Sequence, residues 1–292
     1  MDSTNITSTI ISCINTIFSK LFSSLDNNLY SILDDLTFVD IDILNDDYFI
    51  NIFGLASENG LLLIANSLVF GFLLYFAFKY LFSHLGITES ERPSKFIFRL
   101  IFFGICMNFS LFICEQIIFI NSSISSAIRQ IGDNLFHCPI SFSTLIQKLN
   151  SVISIDSDNL DIFSLDGIIK SIISFGMLNL VISYGIRYIL LKIFVLIAPF
   201  AFLSLSAKST SILFKSWMKS FISLLLIQVF VSLVLLLIFS LNINSSNTFN
   251  KIILTASILI LLKANSYVKE MLGGISTDFS IGFNNIKSLI KK

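Results

Sequence analysis

The sequence predicts an all-α integral membrane protein: about five transmembrane helices plus a re-entrant or interfacial hairpin around Pro199, with the N-terminus outside and the C-terminus inside. Three observations predict it. Of the 292 residues, 54% are hydrophobic and 13% charged, against about 25% charged in a soluble domain, and the mean hydropathy is +0.86. The apolar residues gather in runs long enough for a hydrocarbon core of ~30 Å. The basic and acidic residues, 19 of each, sort into different connecting segments.

Residues 1–58 form an external N-terminal segment with nine acidic residues and one base, Lys20. Ile6, Ile10, Ile14, Ile17, Leu21 and Leu25 recur at helical spacing and predict an amphipathic helix over about 5–25. Its polar face is Ser, Thr and Asn instead of Lys, which suits packing on protein better than lying on anionic lipid. The start lacks the basic n-region of a conventional signal peptide. The acidic stretch 34–47 reads as a solvated connector rather than a cation site.

The first two spans, 60–82 and 96–120, fall within 59–120; the second has Arg99 near one end and Glu115 near the other. Residues 121–167 form an external helical cap. Ile124, Ile128, Ile131 and Leu135 predict one helix in it, and Leu145, Leu149, Val152 and Ile153 another. The transmembrane core is 168–274. It contains spans at 168–191, 221–241 and 252–272, the re-entrant segment 193–207 and a basic shelf at 208–219. Leu272-Gly273-Gly274 ends the last span as a glycine C-cap would. Residues 275–292 are a cytoplasmic tail. No internal repeat supports an inverted-repeat transporter.

The topology turns on 193–207. Fifteen residues of helix reach about 22 Å, short of the core thickness, and Pro199 removes a backbone donor. If the stretch dips in and returns, the inside segments 79–99, 187–219 and 263–292 hold 14 Lys/Arg and four Asp/Glu. The outside segments 1–58, 121–167 and 242–251 then hold four and 14. Cytoplasmic loops carry the excess of Lys and Arg, so this arrangement is expected over a sixth crossing.

Three stretches carry a family resemblance. They are R-Y-I-L-L-K-I-F-V-L-I-A-P-F-A-F-L-S-L from Arg187, F-K-S-W-M-K-S-F from Phe214, and Y-V-K-E-M-L-G-G from Tyr267. The chain resembles the VirB6/TrbL family of polytopic inner-membrane subunits of type IV secretion and conjugation machines. The likeness covers about 60–275 and is closest over 170–275. The composition resembles the low-GC Gram-positive relatives, and the long C-terminal extension of some members is absent. The resemblance implies a non-catalytic channel or scaffold subunit of a bacterial cytoplasmic membrane, in several copies. Its implied partners are the lipid bilayer, other secretion-system membrane subunits and cytoplasmic ATPases, with transient contact with translocated single-stranded DNA or protein. It implies no cofactor.

Candidate functional residues are few. Glu115 lies near the outer end of its span, and an intramembrane acid is either partly hydrated there or functional. Lys263 either snorkels to the inner headgroups or faces an interface. Lys208, Lys215, Trp217 and Lys219 read as a membrane anchor, or as a docking surface for a cytoplasmic partner or a passing phosphate backbone. Arg187 and Lys192 mark the inner end of the third span, and Pro199 the hinge of the hairpin. Asn66, Asn108, Asn179 and Gln228 suit interhelical hydrogen bonds or a conduit lining. Cys13 and Cys138, both placed outside, leave a disulfide open, and the spacing of Cys and His gives no zinc signature. A small-solute permease is the alternative class. A membrane enzyme is disfavoured, because no carboxylate pair, His–Asp set or serine motif falls at a membrane face.

Overall fold

A computed structural model describes residues 9, 11–17, 20, 30–55, 60–85, 92–152, 164–241 and 248–273. All regular structure among them is helical. The amphipathic helix expected over about 5–25 lies mostly outside the described residues; 9, 11–17 and 20 are helical. The tail 275–292 and the acidic stretch 153–163 also lie outside them.

Helix α1 (Tyr30–Thr37) leads through a 3-10 turn (Ile41–Leu44) into α2 (Asp47–Phe53). The acids here act as caps. Asp40 accepts from the Ile41 N–H at 2.7 Å and Asp46 from the Tyr48 N–H at 3.1 Å, satisfying donors that a helix start leaves over. Helix α2 ends at Gly54, whose φ of 100° suits a residue without Cβ. The stretch 34–47 is therefore a capped, folded connector, in which Asp35, Asp40, Asp42, Asp46 and Asp47 stay exposed and Asp34 is partly buried. Leu33, Val39, Ile43, Leu44, Phe49 and Phe53 bury its apolar side.

Helix α3 (Leu61–His84) is apolar apart from Asn66, Ser67, Lys79 and its last two residues, and it is little buried, at Leu62 and Ala65. Two contacts hold it to α4 (Pro93–Asn108): a reciprocal pair of 3.2 Å hydrogen bonds between Asn66 and Asn108, and Phe76 stacked on Phe96 at 3.8 Å. Proline at the first turn of α4 is a favoured start. The expected second span 96–120 is two helices, because α4 stops at Asn108 and α5 runs Ser110–Phe136. Asn108 stands at the break, where its amide also donates to the Gly104 carbonyl at 2.9 Å. Helix α5 continues through 121–136, so the first helix expected in the cap is an extension of the span. Helix α6 (Phe142–Val152) is the second.

Helix α7 (Leu165–Leu203) is 39 residues long, with Pro199 inside it. The chain does not turn back at Pro199, and 193–203 continues helix α7. Proline removes one donor and bends a helix without having to end it. Here it is buried, with Ala198, Ala201 and Phe202 also in the core. The reversal comes later and is made by hydroxyls. Ser204 donates to the Ala201 carbonyl and Thr210 to the Ser204 carbonyl, each at 2.6 Å, and Ser211 donates to the Lys208 carbonyl at 2.9 Å. Helix-end carbonyls are thereby satisfied where the chain turns. After a 3-10 turn (Ser204–Ser206), α8 (Ser211–Ser240) runs back along α7. Then α9 (Thr248–Leu262) and α10 (Ala264–Leu272) follow, bent by 51° at Lys263.

Among the described residues, four helices are long and apolar enough to cross a membrane: Leu61–His84, Ser110–Phe136, Gly167–Ser206 and Ser211–Ser240. The bent pair α9–α10 makes a fifth if counted as one span. The protein is thus an all-α, multi-pass membrane protein. At ~1.5 Å per residue α7 is about 58 Å long, nearly twice the hydrocarbon thickness, so it is a span with an extension. Pro199→Ala should keep the fold and raise unfolding stability in detergent by roughly 1 kcal/mol, since alanine restores a donor for the Val195 carbonyl. A marked fall in midpoint would show that the proline itself is required.

A buried arginine as the candidate functional site

Arg187 is the largest fully buried side chain, at 0% exposure. It stands on the face of α7 that also carries buried Tyr184 and Leu191, against α8 and the end of α1. Its Nε donates to the Leu224 carbonyl at 2.7 Å, Nη1 to the Thr37 carbonyl at 2.8 Å and Nη2 to Gln228 Oε1 at 3.4 Å. All three acceptors are neutral. The Thr37 carbonyl ends α1, where carbonyls lack helical donors and carry the negative end of the helix dipole. A buried cation is tolerable only when its donors are so occupied.

The polar chain continues across the bundle. Ser232 Oγ donates to the Gln228 carbonyl at 3.0 Å and lies 2.6 Å from Ser125 Oγ on α5. Since the one hydroxyl proton of Ser232 goes to Gln228, Ser125 is the donor in that pair. Thr37, Arg187, Gln228, Ser232 and Ser125 thus link α1, α7, α8 and α5 in buried polar contacts. Gly132, one turn from the end of α5, keeps α5 close to α8. A Cβ there would lie 2.8 Å from Leu236 and 2.5 Å from Ile140.

The acidic segment is fastened beside Arg187. Asp34 accepts from the Phe142 N–H at 2.8 Å and from the Ser143 N–H and hydroxyl at 3.2 and 2.7 Å, capping α6. Arg129 stacks over Phe38 at 4.0 Å, and Phe142 packs on Tyr184 with ring centroids 6.4 Å apart. Lys192 pairs with Asp46 at 3.7 Å and lies near the Tyr188 and Phe49 rings. Residues that bond to one another share one depth, so Arg187 and Lys192 lie at the level of Thr37 and Asp46. They belong with the acidic segment. Without them the base-rich segments keep 12 Lys/Arg against six, and the asymmetry keeps its sense.

Trp217 is also differently placed from a lipid-facing anchor. It is 6% exposed, its indole N–H donates to the Phe194 carbonyl at 2.9 Å, and it stacks on Phe221 with Phe202 and Phe214 around it. The proline-bearing end of α7 is thereby clamped to the start of α8. Lys208, Lys215 and Lys219 are exposed around this clamp, and Lys263 is exposed at the α9–α10 bend. Glu115 is partly buried on α5 and makes no hydrogen bond to Arg187. Of the four polar span residues, Asn66, Asn108 and Gln228 make interhelical bonds, whereas buried Asn179 Oδ1 has no partner. Cys13 and Cys138 are free thiols.

No protein-family model, curated protein or solved structure matches the chain.

Arg187→Ala should cost about 3–5 kcal/mol in unfolding from micelles, because three acceptors and a cavity remain. Gln228→Leu, which leaves one guanidinium donor unpaired, should cost less, about 1.5–3 kcal/mol. Equal effects would dissolve the hierarchy. Trp217, the only tryptophan, should be poorly quenched by brominated acyl chains in reconstituted vesicles. Strong quenching would place it in lipid.

Proposed function

We propose that this chain is a channel or scaffold subunit of a type IV secretion or conjugation machine, embedded in a bacterial cytoplasmic membrane with the N-terminus outside and the C-terminus inside. It helps move DNA or protein across that membrane, in several copies, with other membrane subunits and cytoplasmic ATPases. One observation carries the reading. Two of the three stretches on which the family resemblance rests pack together: Phe202 on α7 closes against Phe214 and Trp217 on α8, and the Trp217 indole bonds to the Phe194 carbonyl.

The arrangement suits a scaffold under load. The turn 207–210 is stiffened on both sides by the aromatic clamp and by hydroxyl-to-carbonyl bonds, and it carries exposed Lys208 at its tip. A partner pulling on that turn would move α7 and α8 together, and the Arg187 contacts would pass the movement to α1. The apolar face of α3, with Phe70, Tyr75 and Phe78 exposed, is available to lipid or to neighbouring subunits.

A clean deletion should abolish conjugation or secretion, with recovery on complementation; undiminished transfer would reject the reading. A cysteine replacing Ser211 should resist an impermeant external thiol reagent in intact cells, and ready labelling would invert the topology. Solute uptake by the purified protein alone in liposomes would instead favour a permease.

A further inference from the structure

We infer that a groove between the start of α8 and the end of α10 is a binding site for an anionic phospholipid, its phosphate held by Lys215 and Lys219 and an acyl chain lying on Phe214, Met218 and Ile222. The groove has a volume of about 330 Å³ and is lined by these five residues and Leu272. Over its first three turns α8 has two faces. Trp217, Ser220, Phe221 and Leu224 are buried in the protein. Phe214, Met218 and Ile222, four residues apart, line the groove with Lys215 and Lys219 beside them.

Charge and polarity select the occupant. Both ammonium groups are exposed, and neither pairs with a carboxylate among the described residues. Lys219 is held in place: a Cβ on Gly273 would lie 2.6 Å from its Nζ, so the amine rests against the C-terminal end of α10, a favourable place for a cation. Apart from the two lysines the lining is wholly apolar. One turn beyond them Ile222 continues the wall along α8, the direction in which that helix runs into its span. A site with two cations at the mouth and hydrocarbon along the wall fits a phosphodiester headgroup with its chain, and basic pockets between membrane helices are recognised lipid sites. A soluble phosphate would leave the wall uncovered, and a nucleic acid would find neither a continuing basic track nor an exposed stacking ring.

The site rests on the membrane character of the chain and is independent of the secretion reading. The test uses the full chain in detergent, titrated with phosphatidylglycerol or phosphatidylcholine and followed by native mass spectrometry and thermal unfolding. Phosphatidylglycerol should bind and raise the midpoint while phosphatidylcholine does neither. The double variant Lys215→Gln/Lys219→Gln should lose roughly 30-fold in affinity, about fivefold per lysine, and Lys215→Arg/Lys219→Arg should retain binding. Met218→Trp, which keeps both charges and fills the groove, should also weaken binding. Unchanged affinity in the glutamine variant would overturn the proposal. So would equal stabilisation by inorganic phosphate or glycerol phosphate, which would mean that the acyl chain plays no part.

Discussion

The structure depends on a positive charge placed where water is scarce. Arg187 lies in the middle of the longest helix, buried against α8, and an arginine remains protonated under ordinary conditions. Its donors must find oxygens, and the bundle is arranged so that they do: a carbonyl within α8, a glutamine one turn along, and the last carbonyl of α1. The third acceptor explains why a short acidic segment that precedes every span is packed into the bundle. An eight-residue helix is far below the length at which isolated helices persist in water. Buried apolar contacts and the arginine's hydrogen bond hold it instead.

The same economy of satisfied backbone groups shapes the α7–α8 reversal. Proline leaves α7 helical, because its surroundings are packed and one lost hydrogen bond can be accommodated. Serine and threonine then end the helix by giving their hydroxyls to carbonyls that have no other donor. Trp217 completes the join with a bond to a main-chain oxygen near the proline. Aromatic stacking adds rigidity around it, at roughly 0.5–1.5 kcal/mol per well-formed pair. The result is a stiff hairpin whose outer surface is free to meet lipid and partners. Two neighbouring stripes on α8, one turned inward and one outward, give its first three turns both a structural and a surface role.

Much of the candidate site was visible in the sequence, though not its meaning. Arg187 and Gln228 both stand out as polar residues in apolar runs, but a basic residue near the end of a predicted span is most simply read as a membrane-boundary marker. Only the neighbour from residue 37 changes that, and no local pattern encodes a contact across 150 positions. Trp217 was read as an interfacial anchor for a similar reason. Lysines on either side suit a membrane surface, and helical periodicity alone does not say which side of the helix meets protein. Asp34 and Asp46 looked solvated because acid-rich segments usually are, yet one caps a distant helix and the other its own.

By itself the sequence determined the class: helical, multi-pass, with runs of apolar residues long enough to span and with charges sorted by segment. Those properties follow from composition and spacing, which are local and additive. The tertiary structure decided that 193–203 continues α7 through Pro199 instead of turning back there, that α4 and α5 divide at Phe109, and that Arg187 lies inside the protein rather than at its edge. Each depends on which distant atom meets a donor or acceptor in the folded bundle. In a medium with little water to stand in for such a partner, those pairings determine where helices bend, end and pack.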